Sequence, residues 1–280
     1  LVRNRTLEEL FKVILDLALN HTSIQHPFAK DVIAKGPKSP HYALYQHDFS
    51  ADAPYGQFFK KREVGQATFV TYFWEELVNL DYSRAPAREY AVSVVEHWIR
   101  KYDVDGYRLD ASWGPSSRWP EFYSTIGAKI RAMKPNALLL AEDTTAHPAQ
   151  YRGRNHPHLK GAGFDLAYDW QASDPDWVSK WSFQIGDEEG ATIFREIEAR
   201  TAAAAFVRAI EEGRSKTGIQ PLRYIQNNDT ASFNHFHTDP QTRFATMLQF
   251  LLPGTPVISY GQEVGSKYEQ WRLPSFDPEK

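Results

Sequence analysis

Residues 88–110, REYAVSVVEHWIRKYDVDGYRLD, contain the repeating unit from which the fold can be read. Val92, Val95, Ile99 and Tyr102 recur at three- and four-residue spacing, which predicts one apolar face of a helix over 88–102. Asp105-Gly106 then breaks the pattern, and Tyr107–Leu109 reads as a short strand leading to Asp110. Working outward, Val13–Leu19 is an earlier apolar run of strand length. Downstream, a helix from Pro120 carries Phe122, Ile126, Ile130 and Met133, Pro135 stops it, and Leu138–Ala141 follows as a strand. Further strands are predicted at Phe164–Ala167, Leu222–Gln226 and Thr255–Tyr260. An alanine-rich helix is expected over 191–212, and Pro240 opens another that carries Phe244, Leu248 and Leu251.

Strands that alternate with helices imply a parallel sheet, and six such units favour a β/α barrel or a doubly wound sheet. Thr22–Ala87 lies between the first strand and the first long helix, far longer than a βα loop of about 2–6 residues. It is rich in His, Pro, Tyr and Phe. We read it as a subdomain inserted on the ligand-binding face, over 22–81, with the barrel portion over 1–21 and 82–280.

Composition excludes several function classes. A net charge of -3 offers no basic field for a polyphosphate, so nucleic acid is not an expected partner. The longest apolar run, Phe244–Leu252, is interrupted by Thr246 and Gln249 and falls short of the roughly 18 residues of a membrane span. The chain has no cysteine, which removes disulfides, thiolate metal sites and cysteine nucleophiles. Neither compartment nor oligomeric state follows from the sequence, which begins at Leu1. The 8 Trp, 14 Tyr and 17 Phe make a large aromatic core, with some rings expected in a cleft where they could stack on sugars. His156-Pro157-His158 and His235-Phe236-His237 lack further ligands at zinc spacing and are read as surface histidines.

In a parallel β/α fold the reacting groups sit at the carboxyl ends of strands. Asp110, Glu142 and Asp229 each follow a predicted strand. A single such carboxylate is commonly a helix cap, but three strands delivering one each point to chemistry at a shared rim. Retaining glycoside hydrolysis needs a nucleophilic carboxylate and a protonated one about 5–5.5 Å apart. Arg108 lies two residues before Asp110 and so shares its face, where it would keep Asp110 ionised. Glu142, expected to face other carboxylates, would keep its proton and serve as the acid.

Asp16-Leu17-Ala18-Leu19-Asn20-His21, Gly106–Asp110, the Leu-Ala-Glu ending at Glu142 and the Asn-Asn-Asp ending at Asp229 resemble the four short motifs of glycoside hydrolase family 13, the α-amylase family. Leu77–Asp81 is similar to its fifth motif. The resemblance implies an eight-stranded β/α barrel with an insertion after the third strand. The Asp16–His21 motif belongs to that third strand, so about six of eight strands are expected here, with the barrel cut short at both ends. It also implies Asp110 as nucleophile, Glu142 as acid/base and Asp229 as the carboxylate that binds sugar hydroxyls. Arg108 would position Asp110, and His21 would contact the sugar in the cleaved subsite.

The implied substrate is an α-1,4-linked glucan or maltooligosaccharide. Maltogenic amylase, α-glucosidase and glucan transglycosylase activities share the motifs, and a non-catalytic sugar-binding homologue or inactive fragment is the rival of another class. Two departures bear on specificity. Asn228 stands where the family has His, and Trp113-Gly114 replaces the Lys-His pair of many α-amylases, offering a stacking ring on the leaving-group side. No metal residues are assigned. The resemblance admits calcium, with Asn20 as one ligand.

Overall fold

A computed structural model describes residues 11–53, 56–142, 159, 161–168, 219–229, 231–251 and 254–269. The alanine-rich helix expected over 191–212 and the pair His156 and His158 lie outside these residues. The elements run in chain order: β1 (Ile14–Ala18), β2 (His21–Ser23), α1 (Pro27–Lys35), β3 (Lys60–Val64), β4 (Ala67–Thr71), β5 (Leu77–Asn79) and α2 (Ala85–Tyr102). They continue through β6 (Gly106–Asp110), α3 (Trp113–Arg118), α4 (Phe122–Met133), β7 (Leu138–Ala141), β8 (Leu166–Tyr168), β9 (Gln220–Arg223), α5 (Phe233–Phe236), α6 (Asp239–Leu251) and β10 (Thr255–Pro256). Contacts divide the chain into two compact units, one holding the elements through β7 and the other those from β8 onward. The described helices include none long and apolar enough to cross a membrane.

In the first unit β1, β6 and β7 are parallel neighbours. Asp16 lies opposite Arg108 and Ala18 opposite Asp110 across β1 and β6, while Arg108 lies opposite Leu140 across β6 and β7. Two local devices set this register. A Cβ at Gly106 would meet Leu138 O at 2.0 Å, so only glycine lets the two strands approach there. Asp105 accepts the Val13 N–H through its carboxylate at 2.9 Å and donates its own N–H to Val13 O at 2.9 Å, pinning the start of β1.

Helix α2 begins with Pro86 in its first turn and ends at Asp103, whose left-handed backbone (φ 49°) sends its N–H back to Ile99 O. Its buried stripe is Ala87, Ala91, Val95 and Ile99. Val92 is only half-buried and Tyr102 is exposed, with its ring against Trp98. The packing row thus runs at strict four-residue intervals and shares only Val95 and Ile99 with the row expected. Tyr107 closes the layer by donating its hydroxyl to Val95 O at 2.6 Å. Helix α4 buries Phe122, Ile126 and Ile130 as expected, and Gly127 approaches Ala162 O where a Cβ would lie 2.1 Å away.

Residues 21–79 form a four-stranded antiparallel sheet in the order β2-β5-β4-β3. The β3–β4 hairpin turns at Gly65-Gln66. Gly65 has φ 56° and its absent Cβ would lie 2.5 Å from Ile33 O, while Gln66 donates to the same carbonyl at 2.7 Å. The hairpin is thereby docked on α1. Phe69 and Val70 of β4 are fully buried.

In the second unit β9 lies between β8 and β10, all parallel. β9 stops at Arg223, short of the expected Gln226. Gln226 instead accepts the Phe233 N–H at 2.8 Å and donates to the Tyr268 hydroxyl at 3.1 Å, and β10 is correspondingly brief. In both units the remaining strands are parallel, and described helices connect β6 to β7 and β9 to β10, the pattern of a β/α barrel with six strands among the described residues.

Candidate active site

Arg108 organises the rim of the first unit. Because Asp16, Arg108 and Asp110 lie on one face of adjoining strands, a single buried guanidinium reaches several carboxylates. Its Nη1 donates to both oxygens of Asp16, at 2.9 and 3.1 Å, and to Asp110 Oδ1. Its Nη2 lies 2.9 Å from Glu142 Oε2, an ion pair by distance without the alignment of a hydrogen bond. Asp16 is largely open to solvent, Asp110 partly so, and Glu142 is buried.

The turn after Asp110 completes the arrangement. Ala111 has φ 43°, a left-handed conformation that costs a non-glycine residue about 1–2 kcal/mol. That conformation aims the Ala111 N–H at Glu142 Oε2, 2.8 Å away. The Glu142 main chain is fixed as well. Its N–H donates to Leu109 O at 2.9 Å, and its carbonyl accepts from Ser112 N–H at 3.2 Å and from Ser112 Oγ at 3.0 Å. Tyr123 in turn donates to Ser112 Oγ at 2.9 Å.

The surroundings of Glu142 include two groups that the sequence pattern does not predict. Its Oε2 is met by a cation, Arg108, and by an N–H donor, Ala111. The physical reason is the reach of Arg108, whose two terminal nitrogens serve acids on both neighbouring strands. A cation and an N–H donor favour the ionised carboxylate, so a proton must be taken up before Glu142 can act as an acid.

His21 opens β2. Its Nδ1 lies 3.3 Å from Asn20 Nδ2, and its ring meets Phe73 edge-on at 5.6 Å. Burial lowers its pKa below that of free histidine, against the smaller upward pull of the Asp110 charge. Arg108, Asp110, Glu142 and His21 are thus gathered in one unit. Asp229 and Asn228 lie in the other, on the turn after β9. Asn228 Nδ2 donates to Asp229 Oδ1 at 3.1 Å, and the Asp229 N–H donates to Asn227 Oδ1 at 2.9 Å.

Trp113 does not offer the stacking face expected of it. The ring is buried, with Tyr72 at 4.7 Å and Phe73 at 6.0 Å, in a cluster with Phe59, Val70 and Ala111. Its apolar area is taken by the core. Exposed rings nearby include Phe73 and Trp74, on the turn between β4 and β5, which the sequence reading does not single out. Consecutive aromatics just before the Leu77–Asp81 motif were the available signal. Asp16 has no assigned role in the motif, although its two-residue step to Ala18 on β1 sets it on the face of Arg108 and Asp110.

Calcium at Asn20 does not fit this corner. Asn20 Oδ1 already accepts from Arg118 Nη2 at 2.8 Å, and a guanidinium there repels a second cation. Among the described residues no three His, Asp or Glu side chains come together as a metal-ion site. His237 is buried against Phe233 (ring centroids 4.0 Å apart), where burial lowers its pKa, so it is a core residue and not the expected surface one; His235 is exposed.

Parallel strands that carry carboxylates at their C-terminal ends define a β/α barrel with its functional groups on the expected face. The family model for the α-amylase catalytic domain matches residues 2–275, and the chain belongs to that family. It is 26% identical over 269 residues to α-amylase 3 of Dictyoglomus thermophilum, covering 92% of this chain and 48% of that protein. To a cyclomaltodextrinase of Thermoanaerobacter pseudethanolicus it is 24% identical, covering 91% and 39%. A solved cyclomaltodextrinase structure superposes with a TM-score of 0.69 at 21% identity, covering 98% of this chain and 43% of that one, which supports the barrel fold. The chain thus spans less than half the length of these relatives.

Proposed function

We propose that this chain acts as a retaining glycoside hydrolase on α-1,4-linked glucans, with starch, glycogen or maltooligosaccharides as substrates. One observation carries the reading: the Arg108 guanidinium joins Asp110 and Glu142, which follow neighbouring strands. Two carboxylates on the two terminal nitrogens of one guanidinium are near neighbours, as a retaining mechanism requires. The printed names of the relatives, α-amylase and cyclomaltodextrinase, agree with an α-glucan substrate.

In this mechanism the Asp110 carboxylate attacks the anomeric carbon while protonated Glu142 gives its proton to the departing glycosidic oxygen. A covalent glycosyl ester on Asp110 results. Glu142, now ionised, takes a proton from water, whose oxygen attacks the anomeric carbon and releases Asp110. Arg108 balances the negative charge on both acids through this exchange. His21 contacts the sugar in the cleaved subsite. Asp229 is assigned to sugar hydroxyls on its motif, with Asn228 beside it. Residues 22–81 form an inserted subdomain that contributes Phe73 and Trp74 as exposed rings for sugar stacking.

Asp110→Asn and Glu142→Gln keep shape and remove the nucleophile and the proton donor. Each is expected to lower reducing-sugar release from soluble starch by at least about 10³-fold with unfolding transitions unchanged. Starch hydrolysis near the parental rate in either variant refutes the assignment. A parent that binds maltooligosaccharides without cleaving them identifies a sugar-binding protein instead.

A further inference from the structure

Arg118 ends α3, and its guanidinium meets an amide and two aromatic rings. Nη2 donates to Asn20 Oδ1 at 2.8 Å, and the guanidinium lies 5.9 Å from the Phe59 ring and 6.0 Å from the Tyr82 ring. Burial pushes its pKa down to about 10, which leaves it protonated at neutral pH. Asn20 itself is almost fully buried, with its carbonyl accepting from Leu80 N–H at 3.1 Å. Gly114 supports the contact, because a Cβ there would lie 2.1 Å from Asn20 Oδ1.

The donor inventory settles which way the Asn20 amide points. A guanidinium has no acceptor, so the Asn20 atom against Arg118 must be the oxygen. The amide nitrogen then faces His21 Nδ1 at 3.3 Å, and an NH₂ group only donates. His21 Nδ1 must therefore be the unprotonated nitrogen, and its proton resides on Nε2.

We propose that Arg118 is a positioning residue that acts through Asn20 to hold His21 in the Nε2–H tautomer, so that the ring presents a hydrogen-bond donor to the sugar. The proposal rests on the glucan-hydrolase reading only for the identity of the sugar. The relay itself belongs to the protein. The guanidinium is a fixed internal cation, and it orients a neutral amide whose two ends are otherwise interchangeable by a flip.

The test is long-range ¹H–¹⁵N correlation NMR of the histidine rings in the full chain, with His21 assigned by its loss in His21→Asn. The parent should show His21 protonated at Nε2 alone. Asn20→Asp replaces the donor with an acceptor and should move a proton onto Nδ1. Arg118→Met frees the amide and should give a mixture of tautomers, whereas Arg118→Lys, which still donates, should retain Nε2–H. Asn20→Asp and Arg118→Met should each lower kcat/KM on a maltooligosaccharide about tenfold, the order of one hydrogen bond. An Nδ1–H tautomer in the parent overturns the proposal. So does an Nε2–H tautomer that persists in both Asn20→Asp and Arg118→Met. A parent with no glucan hydrolysis defeats the functional reading instead, and the tautomer spectrum still decides the relay.

Discussion

Arg108 and Arg118 are two enclosed guanidinium groups in the same unit with different direct contacts. Arg108 contacts Asp16, Asp110 and Glu142, three negative charges collected from two strands and the residue after a third. Arg118 meets one amide oxygen and the faces of two rings. The first arrangement concentrates acids that would otherwise repel one another, and its value lies in chemistry. The second spends a charge on orienting a neutral group, and its value lies in geometry. The same side chain thus performs two tasks, and what distinguishes them is whether its donors end on charge or on a dipole.

The comparison breaks most visibly at Arg108. Arg108→Met leaves three carboxylates without their shared cation, and glucan hydrolysis should fall by about 10²–10³-fold, as when one oriented charge-stabilising donor is lost. Arg108→Lys should recover only a small part, because an ammonium is a point charge and cannot hold Asp110 and Glu142 on separate nitrogens. Full recovery by lysine in steady-state assays would show that charge alone, and not the fork, is what the site requires. Arg118, in contrast, should tolerate lysine.

A smaller effect is expected at Asn228, an amide beside a carboxylate. Asn228 donates to Asp229, and Asn228→His offers a longer donor able to carry charge. If Asp229 binds sugar hydroxyls, turnover should rise several-fold at most, the scale of about 0.5–1.5 kcal/mol for one hydrogen bond. A large loss in kcat/KM would mean that the pocket is built around asparagine and takes a different sugar.

Much of the barrel was legible in the sequence because strand and helix patterns there follow burial. Leu138–Ala141 and Phe122–Met133 are such cases, with Phe122, Ile126 and Ile130 at the expected inward positions. Helix α6 is the counterexample. Phe244 and Leu251, expected on its core face, are exposed, and the buried positions are Ala245 and Gln249, the latter donating to Arg223 O at 3.0 Å and to Val257 O. A polar side chain that satisfies two carbonyls occupies the place hydrophobic periodicity reserves for a ring. The sheet over 21–79 was not legible as strands either, because β3 is mostly charged and β4 is buried on both faces.

At the candidate site, the Arg108–Asp110 contact followed from a spacing of two on one strand. The ion pair with Glu142 did not, since it depends on how far a guanidinium reaches across a strand boundary. Neither did Ala111, whose left-handed turn has no residue signature, nor Arg118, which approaches Asn20 from 98 positions away. Trp113 differs from expectation because sequence alone does not distinguish a ring in a cleft from one in a core.

The central claim, that Asp110 is a nucleophile, is tested most directly by trapping. A 2-deoxy-2-fluoro maltosyl fluoride slows the second step and allows the glycosyl ester to accumulate. Intact-mass and peptide mass spectrometry should find one added glycosyl group, localised to the peptide bearing Asp110, and none on Asp110→Asn. An adduct on another residue, or turnover of the probe by an active parent with inverted anomeric configuration and no adduct, would contradict the account.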